Sequence, residues 1–178
     1  MTPIKMIERL IAFNTVSRDS NLELIEFVEE YLHSHGIAST RVPNDTGDKS
    51  NLYATVGPQE AGGVVLSGHT DVVPVDGQSW DTDPFCITPK EGRLYGRGTC
   101  DMKAFIAIGL ALVPEMRQLN KPIHFALSYD EEVGCLGAPR MVRQMAERLP
   151  PPAAVIIGEP TSMDAVNGNK GVVALRTT

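Results

Sequence analysis

Four short motifs in this chain of 178 residues place a histidine or carboxylates directly after an apolar stretch or its connection. Val64-Val-Leu66 leads into Ser67-Gly-His69-Thr-Asp71, and His124-Phe-Ala-Leu127 leads into Tyr129-Asp-Glu131-Glu132. Val155-Ile-Ile157 leads into Gly158-Glu159-Pro-Thr161, and a hairpin-like stretch empties into Gly96-Arg-Gly-Thr-Cys-Asp101-Met-Lys103. In open α/β sheets, ligands bind outside the carboxyl ends of the strands, so parallel neighbouring strands would bring these residues together. Convergent carboxylates repel each other and resist leaving water unless a positive charge lies between them. A divalent ion meets that need, and one imidazole with carboxylate oxygens suits zinc or a neighbouring first-row metal. In His69-Thr-Asp71 the i, i+2 spacing puts both side chains on one face of extended chain, so Asp71 is placed to orient His69 and fix its tautomer. Glu131 and Glu132 cannot point the same way on a strand. If one leaves it as a ligand, the other is free to serve as general base toward an attacking water.

Each motif also has a plainer reading. His-x-Asp after a strand can be a satisfied turn, and Asp101 before a helix a simple N-cap. Asp130-Glu-Glu132 can be a solvated acidic loop, and Glu159-Pro160 a strand end. His124 reads as a packed strand residue, and Gly96-x-Gly98 lacks the third glycine of a dinucleotide fingerprint. Taken singly these readings hold; four such motifs at strand ends fit them poorly.

Elements that would carry these residues are visible in the hydrophobic pattern. Ile4, Ile7, Leu10 and Ile11 follow helical spacing. A second helix is predicted over 21–35, with Leu24, Ile25, Val28, Tyr31 and Leu32 on one stripe, Gly36 as left-handed C-cap, and His33 and His35 on the surface of the last turn. Strands are predicted over Asn51–Val56, Gly63–Ser67 (a buried central strand), Ile123–Tyr129 and Ala153–Ile157, and a hairpin turning at Gly92. Ala104–Val113, apolar on all sides, predicts a buried helix, and Gly137–Leu149 another. Strands alternating with helices give an α/β class with a covered sheet.

Composition excludes several classes. Apolar residues are 42% and charged residues 21%, an ordinary globular balance, and the net charge of −6 disfavours nonspecific binding to nucleic acid or anionic membrane. The longest apolar run, Ala104–Val113, is about half of the ~20 residues a membrane span needs. No secretory signal core builds after Met1, and Cys86, Cys100 and Cys135 lack Cys-x-x-Cys spacing. A reduced, cytoplasmic protein without a disulfide framework is expected.

HTDVVPVDGQSW (69–80), GRGTCDMK (96–103), LSYDEEVGCLGAP (127–139) and IIGEPTSM (156–163) together make the chain resemble one family. It is the zinc-dependent amidohydrolases of the acetylornithine deacetylase, succinyl-diaminopimelate desuccinylase and carboxypeptidase G type, most closely the acetylornithine deacetylase branch. The resemblance runs from about Ile4 to Thr178. It implies a zinc-exopeptidase-like α/β catalytic domain with a mixed, mostly parallel sheet covered by helices. It also implies hydrolysis of N-acetylornithine to ornithine and acetate in arginine biosynthesis, with a desuccinylase or aminoacylase as the alternative. By resemblance, His69 and Glu159 would hold one zinc, Glu132 a second, and Asp101 would bridge them, with cobalt able to substitute. Asp71 would orient His69, Glu131 would be general base toward a metal-activated water, and the Asp101–Met102 peptide would be cis.

Members of that family continue through a lid and dimerisation domain and then return to the catalytic domain. The resemblance therefore divides the chain into a catalytic segment, 1–167, and the start of a strand entering the lid, 168–178. The second metal's last ligand, a histidine beyond this segment, and the residues that read the acyl group have no counterpart here, so the segment alone would be inactive. Expected partners are a small N-acyl amino acid, neither nucleic acid nor membrane, and a second copy through the lid domain. A sheet left incomplete would expose an edge, and Val172–Thr178 is expected to pack back as an improvised strand or to pair with a neighbouring molecule.

Overall fold

A computed structural model describes residues 1–168. Helix α1 (Pro3–Ile11) starts at Thr2, whose hydroxyl caps Lys5 N, with Pro3 in the first turn where its missing N–H costs nothing. It buries Met6, Ile7, Leu10 and Ile11, whereas Ile4 is 59% exposed. The predicted stripe was thus rotated by part of a turn, and Met6 takes the place expected of Ile4. Helix α2 (Leu22–Ser34) buries Leu24, Ile25, Val28 and Leu32. Gly36 follows it at φ 76°, in the left-handed region expected there, and both terminal histidines lie exposed.

Five strands form one sheet in the order β1-β2-β6-β3-β7: β1 (Ser39–Pro43), β2 (Ser50–Val56), β3 (Val64–His69), β6 (Ile123–Ser128) and β7 (Ala154–Ile157). β1 and β6 are each antiparallel to β2, and β3 is parallel to both β6 and β7. The sheet is therefore mixed, with four of its five strands pointing one way. Strands β4 (Thr88–Lys90) and β5 (Arg93–Tyr95) form the separate predicted hairpin, with Glu91 at φ 52° and Gly92 at φ 74° in its two-residue turn. β1 was not foreseen: Ser-Thr-Arg-Val-Pro carries a single buried residue, Val42.

Alternation along the strands divides two cores. Leu52, Ala54, Phe125 and Leu127 face α1, α2 and helix α3 (Lys103–Leu112), while Tyr53, Val65 and Ala126 face Met141 of helix α4 (Ala138–Arg148). The result is three layers, helix on sheet on helix. α3 is less enclosed than its sequence suggested. Ile106, Ala107 and Leu110 pack on the sheet, but Ile108 and Leu112 are 44% and 39% exposed, because a single layer of helix leaves its outer side to solvent. β3 lies inside the sheet as expected. An apolar cleft of about 330 Å³ lies between part of α4 and the β3, β6 and β7 side of the sheet, lined by Val65, Met141, Met145 and Val155. Beyond Gly168, the strand expected over 168–178 and the pairing expected of Val172–Thr178 lie outside the described residues.

Candidate metal centre

Register explains why the motifs meet. β3 pairs with β6 so that His69 sits opposite Ser128, and with β7 so that Ser67 sits opposite Ile157. His69 ends β3, Glu131 lies three residues past Ser128, and Glu159 lies two past Ile157. The three segments leave adjacent parallel strands at one level, at the carboxyl edge where α/β ligand sites form. Asp101 arrives from the side, on the approach to α3. Gly68 permits this approach: a Cβ there would meet Ile106 Cγ1 at 2.8 Å and Met102 Cε at 3.0 Å. The residue after Asp101 is therefore packed against the end of β3, and the Asp101–Met102 peptide is cis, as the resemblance implied.

His69 is 2% exposed. Its Nδ1 lies 2.9 Å from the Asp71 carbonyl oxygen and 3.6 Å from the Asp71 carboxylate. Of the two Asp71 contacts, the main-chain one is the closer. The opposite nitrogen, Nε2, faces the carboxylates, at 2.9 Å from Asp101 Oδ1, 3.5 Å from Glu159 Oε1 and 4.0 Å from Glu131 Oε2. Ligating atoms of His69, Glu131 and Glu159 lie within 4.8 Å of one another, and so do those of His69, Asp101 and Glu132. The two groups share His69. Asp101 does not cap α3: Met102 occupies the N-cap position, without a side-chain cap.

Glu131 and Glu132 both turn inward because they lie beyond β6, where strand alternation no longer applies. Asp130 adopts φ 55°, and Gly134 N and Cys135 N both donate to the Glu131 carbonyl, closing a turn. Cys135 Sγ lies 3.5 Å from Glu131 Oε1. The Asp71 carboxylate binds the back of this turn, accepting Glu131 N at 3.1 Å, Glu132 N at 3.3 Å and Ser17 Oγ at 2.7 Å. Ser17 carries no signal in the sequence. It belongs to a loop segment joined to the chain after β3, where Val72 N donates to the Thr15 carbonyl and Ser17 N to the Val72 carbonyl.

Charge in the site is unbalanced toward the negative. Burial opposes protonation of His69, but the Asp71 hydrogen bonds and the charges of Asp71 and Glu159 outweigh it and raise the pKa to about 9. Burial raises Glu132, reinforced by Asp101, and raises Glu159, reinforced by Asp101 and Glu131. Asp71 is lowered in spite of burial by its bonds to His69, Ser17 and Glu131 N. Glu132 and Glu159 hold protons more tightly because burial, and then the neighbouring carboxylates, oppose their negative charge. One imidazole nitrogen with several carboxylate oxygens and no thiolate suits a divalent ion such as zinc, and the carbonyl on Nδ1 leaves Nε2 as the nitrogen able to face one.

His124 is 1% exposed and packs in β6, with Nδ1 2.8 Å from Thr55 Oγ1, away from the centre. No helix among the described residues is long and apolar enough to cross a membrane.

Residues 65–171 match the model of Peptidase family M20/M25/M40. The chain is 40% identical to the acetylornithine deacetylase of Pasteurella multocida (strain Pm70) over 98% of its own length and 48% of that protein's. It is 37% identical to that of Shigella sonnei (strain Ss046), over 96% and 46%. The chain thus spans about half the length of these curated relatives. Among solved structures, human carnosine dipeptidase 1 superposes with a TM-score of 0.73 at 22% identity, over 87% of this chain and 38% of that one. The M20 family metallo-carboxypeptidase Sso-CP2 from Sulfolobus solfataricus gives 0.71 at 21%, over 88% and 37%. The fold, the matched residues and the relatives agree: the chain belongs to Peptidase family M20/M25/M40.

Proposed function

We propose that this chain is the metal-binding part of an amidohydrolase that cleaves N-acetylornithine to ornithine and acetate. The observation that carries the reading is that four carboxylates stand around His69, in two groups that share it: Glu131 with Glu159, and Asp101 with Glu132, ligating atoms within 4.8 Å in each. Relatives named acetylornithine deacetylase support the choice of substrate. His69 and Glu159 would hold one zinc, Glu132 a second, with Asp101 between them; cobalt would be accepted by the same donors. Zinc, when bound, supplies Lewis-acid polarisation of the amide carbonyl and makes its water more acidic. Asp71 holds His69 by its Nδ1 side and so keeps Nε2 aimed at the carboxylates. Glu131 takes a proton from the attacking water at its carboxylate and returns it to the amine as the C–N bond breaks. It is placed for this because its backbone is pinned to Asp71 while its carboxylate stays 38% exposed, open to substrate. The substrate is a small N-acyl amino acid, the protein works in the cytoplasm, and a lid domain outside this segment pairs two copies.

Glu131→Gln keeps the shape and removes the base. In the full-length protein it should lower kcat for N-acetylornithine by about 10²- to 10⁴-fold with zinc content unchanged. Undiminished turnover would sink the assignment of Glu131. Faster hydrolysis of N-succinyl substrates than of N-acetylornithine would move the protein to the desuccinylases.

A further inference from the structure

A closed ring of polar contacts runs behind the metal centre, and one member is a lysine that no motif reaches. Lys49 lies just before β2, its side chain 11% exposed. Its Nζ donates to the Ser17 carbonyl and sits 2.6 Å from Asp130 Oδ1, on a carboxylate only 13% exposed. Each acceptor belongs to a segment that also touches the Asp71 carboxylate. Ser17 does so through its hydroxyl at 2.7 Å, and the residues after Asp130 through Glu131 N and Glu132 N. Lys49 and Asp71 therefore clamp the same two segments, one with a cation and the other with an anion.

From this ring we infer that Lys49 is a positioning residue: by holding Asp130 against Ser17, it sets where the Glu131 and Glu132 carboxylates stand relative to His69. Asp130 is the hinge of that placement. It turns the chain at φ 55°, two residues past Ser128 at the end of β6, so any rotation there swings both glutamates. A nearly buried carboxylate that loses its ammonium partner must find water or move, and moving releases the turn. Lys49 touches neither substrate nor metal; it acts through Asp130. The inference rests on the metal-centre reading above.

Lys49→Met, Lys49→Arg, Asp130→Asn and the Met/Asn double variant of the full-length protein, with Glu159→Ala as reference, would be titrated with Co²⁺ alone and assayed on N-acetylornithine. Lys49→Met and Asp130→Asn should each weaken Co²⁺ binding about tenfold, the scale of lost outer-shell partners. They should lower kcat more than they change KM. The double variant should be no worse than either single, since both remove one contact. Lys49→Arg should recover most of the loss. Parental Co²⁺ affinity in Asp130→Asn, the isosteric change, would overturn the proposal even if Lys49→Met failed to fold. Loss of binding in Glu159→Ala alone would leave the metal centre standing and remove Lys49 from it. Unchanged binding in Glu159→Ala would overturn the metal-centre reading, and the role of Lys49 with it.

Discussion

The proton on His69 is opposed by one buried amine nearby in sequence to the centre. His69 has its pKa raised from 6.5 to about 9, so between those values the folded chain binds more protons than the unfolded one. That contribution is fully present below 6.5 and is lost as pH rises through 9. Glu132 and Glu159, also raised, act in the same sense from 4.5 upward. Lys103 behaves oppositely. It is fully buried, with Nζ 2.7 Å from the Phe13 carbonyl, and burial lowers its pKa from 10.5 to about 7. Between 7 and 10.5 the unfolded chain binds the extra proton, so this residue makes stability rise with pH. The two slopes oppose each other from about 7 to about 9. Metal-free protein should therefore show a flat denaturant midpoint across that range. Lys103→Met should make the midpoint fall with pH, and His69→Gln should make it rise. Parallel profiles in all three proteins would refute the assignment.

At the scale of elements, the centre depends on how closely α3 approaches β3. Gly68→Ala keeps the backbone permissible but places a methyl 2.8 Å from Ile106 Cγ1, on a residue 2% exposed and without room to retreat. Overpacking of this kind costs about 1–3 kcal/mol. Because Met102 is the second atom met, Asp101 should shift with it. Gly68→Ala should lower the denaturant midpoint and weaken zinc binding together; a midpoint drop with zinc affinity intact would separate packing from the site. Much of this architecture was legible beforehand. β2, β3 and β6 are apolar runs bounded by turn residues; the motifs after β3 and β6 name His69, Asp71, Glu131 and Glu132, and those after β7 and the β4–β5 hairpin name Glu159 and Asp101. What was not legible depends on contacts between distant segments. Ser17 and Lys49 sit in polar loops with no periodicity, and only the fold puts them beside Asp71 and Asp130. β1 escaped notice because an edge strand of Ser, Thr, Arg and Pro needs little apolar surface. Ile4 misled because one good helical residue at the margin of a stripe satisfies the spacing without being buried.

For the molecule as a whole, the sheet's two faces are covered unequally toward β7. On this edge strand Val155, Ile156 and Ile157 are 55%, 50% and 62% exposed, and Val155 also lines the apolar cleft beside α4. Among the described residues, β7 pairs only with β3. Among the described residues its other side has no partner strand and carries apolar side chains on both faces, the combination that recruits a further strand. The 178-residue chain should therefore self-associate as its concentration rises, with β7 in the contact. Val155→Lys places a charge opposite Val65, two residues before Ile157 and four before Glu159, so the candidate centre should keep its geometry. Sedimentation velocity should show the parent chain shifting toward dimers or larger species while Val155→Lys stays monomeric at the same loading. Zinc bound per chain should be equal in the two. Association that persists in Val155→Lys would place the contact elsewhere, with the exposed Ile108 and Leu112 of α3 the next surface to test.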